Sequence, residues 1–414
     1  MKIPVKRGKI YIENGGENGG GNFNNKTMPH HKKQMTKKRL NGQFFTTKSD
    51  YILSGFSRYI KNKDVIDPFA GNKDLILWAK RHGVRKIRGF DIDTEYVDNK
   101  IVFKNDSINN IKKYNFVLTN PPYLHKNKAT KDVKRKFFNG KNSGFEDLYQ
   151  ISINTILNSN EGILIVPLNF LSAENSKRIR NIFFDKFRIV KLNIFSEQVF
   201  EDTTYNVISF YFKRKKNCSQ NNKIIATIFP KRKQATFTVE KEYNWRLGGD
   251  FIHRIKNTKN HLRIFRLTED YLRSGEYKVE LALQNIKDRR LFHISKDLKE
   301  LIEKNILFLR AIDSKNGKKI QLEDIRKYGV IGLVGKNTSR NMAHLIFKEE
   351  IPISEQIELM KKFNEELNNN RSKYLSFCLT NFRDNNRKRI SFELAYKFLN
   401  YIYNEKNTKQ SVLF

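Results

Sequence analysis

Between residues 51 and 215, short runs rich in β-branched and aromatic residues alternate with segments whose apolar positions recur every three or four residues. The runs "DVIDPF" (64–69), "KIRGFDI" (86–92), "IVFKND" (101–106), "NFVLTN" (115–120), "GILIVP" (162–167), "IVKLNIF" (189–195) and "YNVISFYFKR" (205–214) have the length and composition of strands. Between them, "DLILWAKRHG" (74–83), "DLYQISINTIL" (147–157) and "SKRIRNIFFDKF" (176–187) have helical spacing. This alternation predicts an α/β domain, a doubly wound sheet with ligands at the carboxyl ends of its strands.

The pattern changes on either side. Residues 1–40 contain "NGGENGGGN" and "HHKKQMTKKR", which bury too little apolar surface to order themselves, so they read as a flexible basic tail. After the polar stretch "KRKKNCSQNN" (213–222) come the strand-like "KIIATIFP" and "QATFTVEK", and later the helical "SEQIELMKKFNEELNNN" (354–370). A boundary near 216 is expected, giving a tail (1–40), a first domain (41–215) and a basic α+β second domain (216–414).

Charge narrows the partners. The 414 residues include 80 Lys+Arg against 43 Asp+Glu, a formal net charge of +37. Such an excess suits a polyanion, because each neutralised phosphate releases condensed counterions. There are two cysteines, Cys218 and Cys378, and neither has partners at metal-ligand spacing, so no metal site and a reducing compartment are expected. The longest apolar runs are shorter than a membrane span and the amino terminus lacks an apolar signal core, which predicts a soluble, cytoplasmic protein.

The candidate chemistry sits at the strand ends. "DPFAGNKD" (67–74) is a glycine-containing turn opening a helix, the geometry that lets a nucleotide approach the backbone. Asp91 follows Asp67 by 24 residues at the end of the next strand, where an acid commonly accepts hydrogen bonds from ribose hydroxyls. Asp106 ends the third run and offers a further acceptor. The fourth run ends in Asn120-Pro121-Pro122-Tyr123. The two prolines stop the strand and fix the direction of a carbonyl, so the Asn120 side chain and the Pro121 carbonyl can present two acceptors to one planar amine.

Together these motifs resemble the S-adenosylmethionine-dependent N6-adenine DNA methyltransferases of the gamma arrangement, as found in restriction-modification systems. In that order a methionine-binding motif ("NGQFFTTKSDYI", 41–52) precedes the glycine motif ("DPFAG", 67–71) and the catalytic tetrapeptide ("NPPY", 120–123). The resemblance implies a Rossmann-like methyltransferase sheet, S-adenosylmethionine held by Thr46, Asp67, Ala70, Gly71, Asp91 and Asp106, and catalysis by Asn120, Pro121, Pro122 and Tyr123. It further implies that a flipped-out adenine of double-stranded DNA lies between Tyr123 and Phe200, the latter in "VFEDTTYNVISFYF" (199–212). Residues 216–414 become a target-recognition domain, with "KDRR" (287–290) and "NFRDNNRKR" (381–389) suited to phosphate or guanine contacts, and a cognate restriction endonuclease becomes a possible partner.

Two features stand apart from the family pattern. Lys73 occupies a position that is usually glycine. If that position requires positive φ, lysine adds strain of about 1–2 kcal/mol, and its side chain is expected to point outward. The basic stretch 125–144 reads either as a solvated loop or as a lid over phosphates. The same tetrapeptide also serves enzymes that methylate a guanine amine in RNA or a glutamine amide in protein, and a catalytically idle DNA-binding relative is a further alternative.

Overall fold

The computed structural model describes residues 42–411 apart from 201–205, 273, 315, 316, 318, 375–379 and 382–387. The tail, five residues of the "VFEDTTYN" stretch and most of "NFRDNNRKR" therefore lie outside the described residues.

All seven expected strands form. β1 (Asp64–Asp67), β2 (Lys86–Asp91), β3 (Val102–Lys104), β4 (Phe116–Thr119), β5 (Glu161–Pro167), β6 (Phe187–Phe195) and β7 (Val207–Arg214) belong to one sheet. Its order begins β3-β2-β1-β4-β5-β7-β6. The first five are parallel, whereas β7 runs antiparallel between β5 and β6. Central strands buried on both faces need continuous apolar sequence. All four residues of β4 are buried, as are the last six of β5.

The three expected helices follow: α1 (Asp74–Arg81), and, after a helix the sequence did not signal, α2 (Lys131–Phe137), come α3 (Leu148–Thr155) and α4 (Lys177–Lys186). α2 interrupts the basic stretch 125–144. It starts where the Thr130 hydroxyl accepts from the Val133 N–H, so the segment is neither a bare loop nor long enough to bury a helical face of its own.

The sheet does not stop at the expected boundary near 216. β8 (Asn221–Phe229) pairs parallel to β6, and β9 (Lys233–Glu240) pairs antiparallel to β8, giving nine strands. The alternation in "KIIATIFP" identifies a strand but not the sheet it joins. That choice is made by the edge of β6, whose backbone would otherwise be unpaired.

The rest of the chain is α+β. It contains a four-stranded sheet, built from Phe265–Arg266, Met342–Ile346, Leu307–Arg310 and Gln321–Asp324, and a three-stranded sheet from Asn285–Ile294, Tyr277–Leu283 and Leu333–Val334. Its helices include α5 (Gly249–Asn257), α6 (Lys296–Glu303), α7 (Ile353–Tyr374) and α8 (Phe392–Ser411). One apolar core runs from the nine-stranded sheet through Phe251 and Ile255 of α5 to Phe398 and Ile402 of α8, so the halves are packed together. A buried ion pair, Arg371 to Asp313 at 2.6 Å, ties α7 to the strand at 388. Burial opposes ionisation of Asp313, but Arg371 and the N–H groups of Lys319 and Lys388 hold its carboxyl below the usual value. No described helix is long and apolar enough to cross a membrane.

His344 supplies a pH test of the second half. It is buried in the four-stranded sheet; Nδ1 accepts from the Leu333 N–H, and Nε2 lies 2.6 Å from the Asn305 carbonyl. A proton on Nδ1 would face another N–H, and burial already pushes the imidazole down to about 4. The unfolded chain protonates first on acidification, so stability is lost as pH falls from about 6.5 towards 4, by roughly 3 kcal/mol at most. Denaturant melts of the wild type and His344→Gln between pH 7 and 4.5 should show a shallower loss in the variant.

Candidate active site

The sheet order reverses between β1 and β4, and in a doubly wound sheet the crevice beyond those carboxyl ends receives the ligand. A cavity of about 310 Å³ opens there. Of the residues expected to hold a cofactor, Thr46, Asp67, Ala70, Gly71, Asp91 and Asp106 all line it, together with Asn120 and Pro122.

Asp67 ends β1 and is buried. Its Oδ1 accepts from the Thr119 hydroxyl at 2.6 Å and the Phe69 N–H at 3.0 Å, whereas Oδ2 is buried with no hydrogen-bond partner. Loss of water pushes this carboxyl up to about 7, although both donors oppose the shift. Asp91 is differently placed: Oδ2 accepts from the Gly71 N–H at 2.8 Å and Oδ1 from the Asp93 N–H at 2.9 Å. Burial raises it, and those backbone donors restrain the rise. Asp106 bonds the turn that follows it, through the N–H groups of Ile108 and Asn109, and meets Lys136 of α2 at 3.4 Å.

The glycine turn is tight. Gly71 has φ +46°, and a Cβ there would lie 3.3 Å from the Phe45 ring. Lys73 does adopt a left-handed conformation, with φ +69° and ψ 13°, so the expected strain is present. Its side chain turns outward to Asp98 at 2.9 Å and does not line the cavity. Asp98 also collects the N–H groups of Lys100, Ile101 and Val102, and with Lys73 these hold its carboxyl well below the usual range.

The corner expected to be catalytic is built from two distant segments. The Asn120 Nδ2 donates to the Phe44 carbonyl at 2.8 Å and lies 3.1 Å from the Thr46 hydroxyl, residues 76 and 74 positions earlier. The Gly42 carbonyl accepts from the Tyr123 N–H at 2.8 Å. With both amide hydrogens committed, Oδ1 is left as the acceptor, and it takes a 2.5 Å bond from the Tyr123 hydroxyl.

Pro121, Tyr123 and Phe200 are buried and do not line the cavity. The Tyr123 hydroxyl also lies 2.9 Å from the Ile165 carbonyl, and its ring meets Phe200 at 6.4 Å and 71°. An edge-on pair leaves no parallel gap, so the expected placing of a base between these two rings is not the arrangement seen. The hydroxyl bonds and the surrounding core set the ring angle, and the motif alone does not encode it.

Sequence reasoning also missed the apolar lining. Ile92, a large side chain left 41% exposed, opens on the cavity with Phe45, Ile108, Val133 and Phe137. Ile92 directly follows Asp91, and an apolar residue beside a strand-end acid was an available signal. Lys136 and Phe137 gave none, because one basic stretch looks like another.

Residues 28–200 match the Eco57I restriction-modification methylase family. That match covers less than half of the chain and ends before β7; the nine-stranded sheet itself is Rossmann-like, with β8 and β9 as two added strands. Among solved structures, the chain is similar to the type I restriction enzyme EcoKI M protein (15% identity, TM-score 0.33, covering 47% of this chain and 50% of that one). It is also similar to a type I methyltransferase subunit from Streptococcus thermophilus (15%, 0.32, 45% and 48%) and to the type IIG restriction endonuclease BpuSI (12%, 0.46, 86% and 58%). The chain therefore spans about half to three-fifths of these structures' length. No curated protein matches the sequence.

Gly42 is the position where this geometry is most exposed to test. It has φ +66°, and a Cβ would sit 2.5 Å from the Tyr123 carbonyl oxygen. Gly42→Ala should lower stability by about 2 kcal/mol or more and abolish the docking of 42–46 on the corner. Thermal melting of wild type and variant checks it, with Gln43→Ala as the mild control.

Proposed function

We propose that this protein is a DNA methyltransferase that transfers a methyl group from S-adenosylmethionine to the N6 amine of adenine in double-stranded DNA. The observation that carries the reading is the fixed amide of Asn120 at the rim of a cavity rich in strand-end carboxylates.

The cavity residues fit the cofactor. The orphaned Asp67 Oδ2 calls for a cation or an N–H donor, which the methionine ammonium offers. Asp91, at the end of β2, is assigned to the ribose hydroxyls, and Asp106, which shares the cavity wall with Ile92 and Ile108, to the amino-bearing purine. Thr46, Ala70 and Gly71 complete the wall. When bound, the cofactor supplies a methyl group activated on a sulfonium. Lys73, the feature that favoured a catalytically idle relative, leaves the cavity open.

Adenine's exocyclic amine is a poor nucleophile because its lone pair is delocalised into the ring. Two acceptors on its hydrogens, Asn120 Oδ1 and the Pro121 carbonyl, favour the pyramidal form that reacts. Pro121 and Pro122 keep that carbonyl from relaxing. The surplus proton leaves after the amine has become cationic, so no general base is needed beforehand. The base must leave the duplex to reach the corner, and Tyr123 and Phe200 are the rings able to stack on it once their edge contact opens. The second half, inside a chain of net charge +37, is assigned to target recognition, and a separate restriction endonuclease is the natural partner.

Incubation with labelled cofactor and DNA, RNA or protein, followed by nucleoside analysis, should place the label in N6-methyladenine of DNA. Label confined to RNA or protein would overturn the reading. Asn120→Ala should lower turnover by about 100- to 1000-fold while the DNA Kd stays within roughly threefold. Asp67 should impose a pH dependence on cofactor affinity. Its raised value of about 7 leaves it neutral below and ionised above, so binding of the cation strengthens as pH rises through 7. Calorimetry from pH 6 to 8 on wild type and Asp67→Asn checks this: the Asn variant should lose that component of the slope.

A further inference from the structure

We propose that Arg340 and Arg389 together seat one backbone phosphate of the DNA. This rests on the DNA reading above and names residues for it in the second half of the chain.

The two arginines are brought together by Ala311. Its N–H donates to the Asn341 carbonyl at 2.8 Å and its carbonyl accepts from the Ile390 N–H at 3.0 Å, so each bonded partner directly follows one of the arginines. Arg389 lies on the short strand Lys388–Arg389 and pairs with Ile312. Arg340 follows a loop pinned by Arg266, which donates to the carbonyls of Ser339 at 2.6 Å and Asn337 at 2.5 Å. Neighbouring arginines have carboxylate partners: Arg310 has Glu323, Arg326 has Asp324 and Arg371 has Asp313. Among the described residues, Arg340 and Arg389 have no carboxylate within ion-pair reach. Burial first, and the Arg340 charge second, push the Arg389 guanidinium below its ordinary value. Guanidinium groups without a carboxylate partner suit an anion, and their forks match phosphate oxygens.

The backbone here lies beside the segment that carries Phe200. Lys388 donates to Asn206 Oδ1 at 2.5 Å, and Asn206 Nδ2 donates to the Phe195 carbonyl at 3.3 Å. Asn206 thus closes the neck of the segment between β6 and β7 that carries Phe200, whose ring faces Tyr123. Arg389, the next residue on that strand, leaves from the opposite, outer face.

The test is DNA affinity against salt concentration for wild type, R340M, R389K, the double variant R340M/R389M, and K233M on the outer strand β9. One lost phosphate contact should flatten the slope of log K against log salt by about 0.9 in the double variant. R389K and K233M should keep the wild-type slope, and cofactor affinity should not change in any variant. Arg340 is exposed, so R340M should fold even if R389M does not, and alone it should weaken DNA binding by roughly three- to tenfold. A wild-type slope in the double variant, wild-type affinity in R340M, or an equal fall in K233M would remove the seat. Methyl transfer by the wild type is scored separately: a protein that binds DNA through this pair but never methylates adenine would sink the enzymatic reading and support the seat.

Discussion

The Asn120 side chain is held by its two amide hydrogens, and the rest of the corner is arranged around that restraint. One hydrogen points to the Phe44 carbonyl and the other to the Thr46 hydroxyl, so the amide is not free to flip. The oxygen is thereby aimed, before any substrate arrives, as a carbonyl acceptor. Because the restraining groups come from 42–46, that segment is as much a part of the Asn120 corner as of the cavity wall. Gly42 shows how close the docking is: its carbonyl caps the Tyr123 N–H, and its conformation leaves no space for a side chain. Preorganisation of this kind costs folding energy once and is not charged again at each turnover.

The three strand-end carboxylates look alike in sequence and are unlike in the fold. Asp91 has both oxygens on backbone N–H groups and acts partly as a brace for the Gly71 turn. Asp106 spends its oxygens on its own turn and on Lys136. Asp67 alone keeps a buried oxygen with no partner, and its raised proton affinity expresses that deficit. A ligand's cationic end therefore gains most at β1, and its neutral hydroxyls and amines are matched to the other two. Local donor supply, rather than residue type, sorts the roles.

How much of this was legible follows from which forces are local. The seven strands, three of the helices and the acids at the strand tips were readable because periodicity and strand-ending prolines act within a few residues. Lys73 was readable too: a position that family glycines occupy has φ +69°, and the outward side chain follows from the helix that starts at Asp74. The destination of β8 was not, since alternation specifies a strand but the free edge of β6 selects its partner. Nor was the Tyr123–Phe200 angle, which depends on the Ile165 carbonyl some 42 residues away. Arg340 and Arg389 are indistinguishable from 78 other basic residues until Ala311 brings their backbones together.

The closed ring pair gives the proposed chemistry a definite energetic shape. In the structure Tyr123 donates to the same Asn120 oxygen that the adenine amine would use. On the proposed reading, entry of a base replaces one O–H donor by one N–H donor that has left a partner in the duplex, and the single hydroxyl proton turns to the Ile165 carbonyl, 2.9 Å away. The count of hydrogen bonds is conserved, so their net contribution to the exchange is small, about 1 kcal/mol or less. What drives opening must come from elsewhere: stacking of the base on the two rings, at about 1–3 kcal/mol per contact, and phosphate contacts made by the second half. An amine that cannot stack gains nothing from the exchange and leaves Tyr123 where it is. On the proposed reading, selection of a planar base at this corner would follow from the closed state, because the acceptor would be released only to a ligand that also separates the rings.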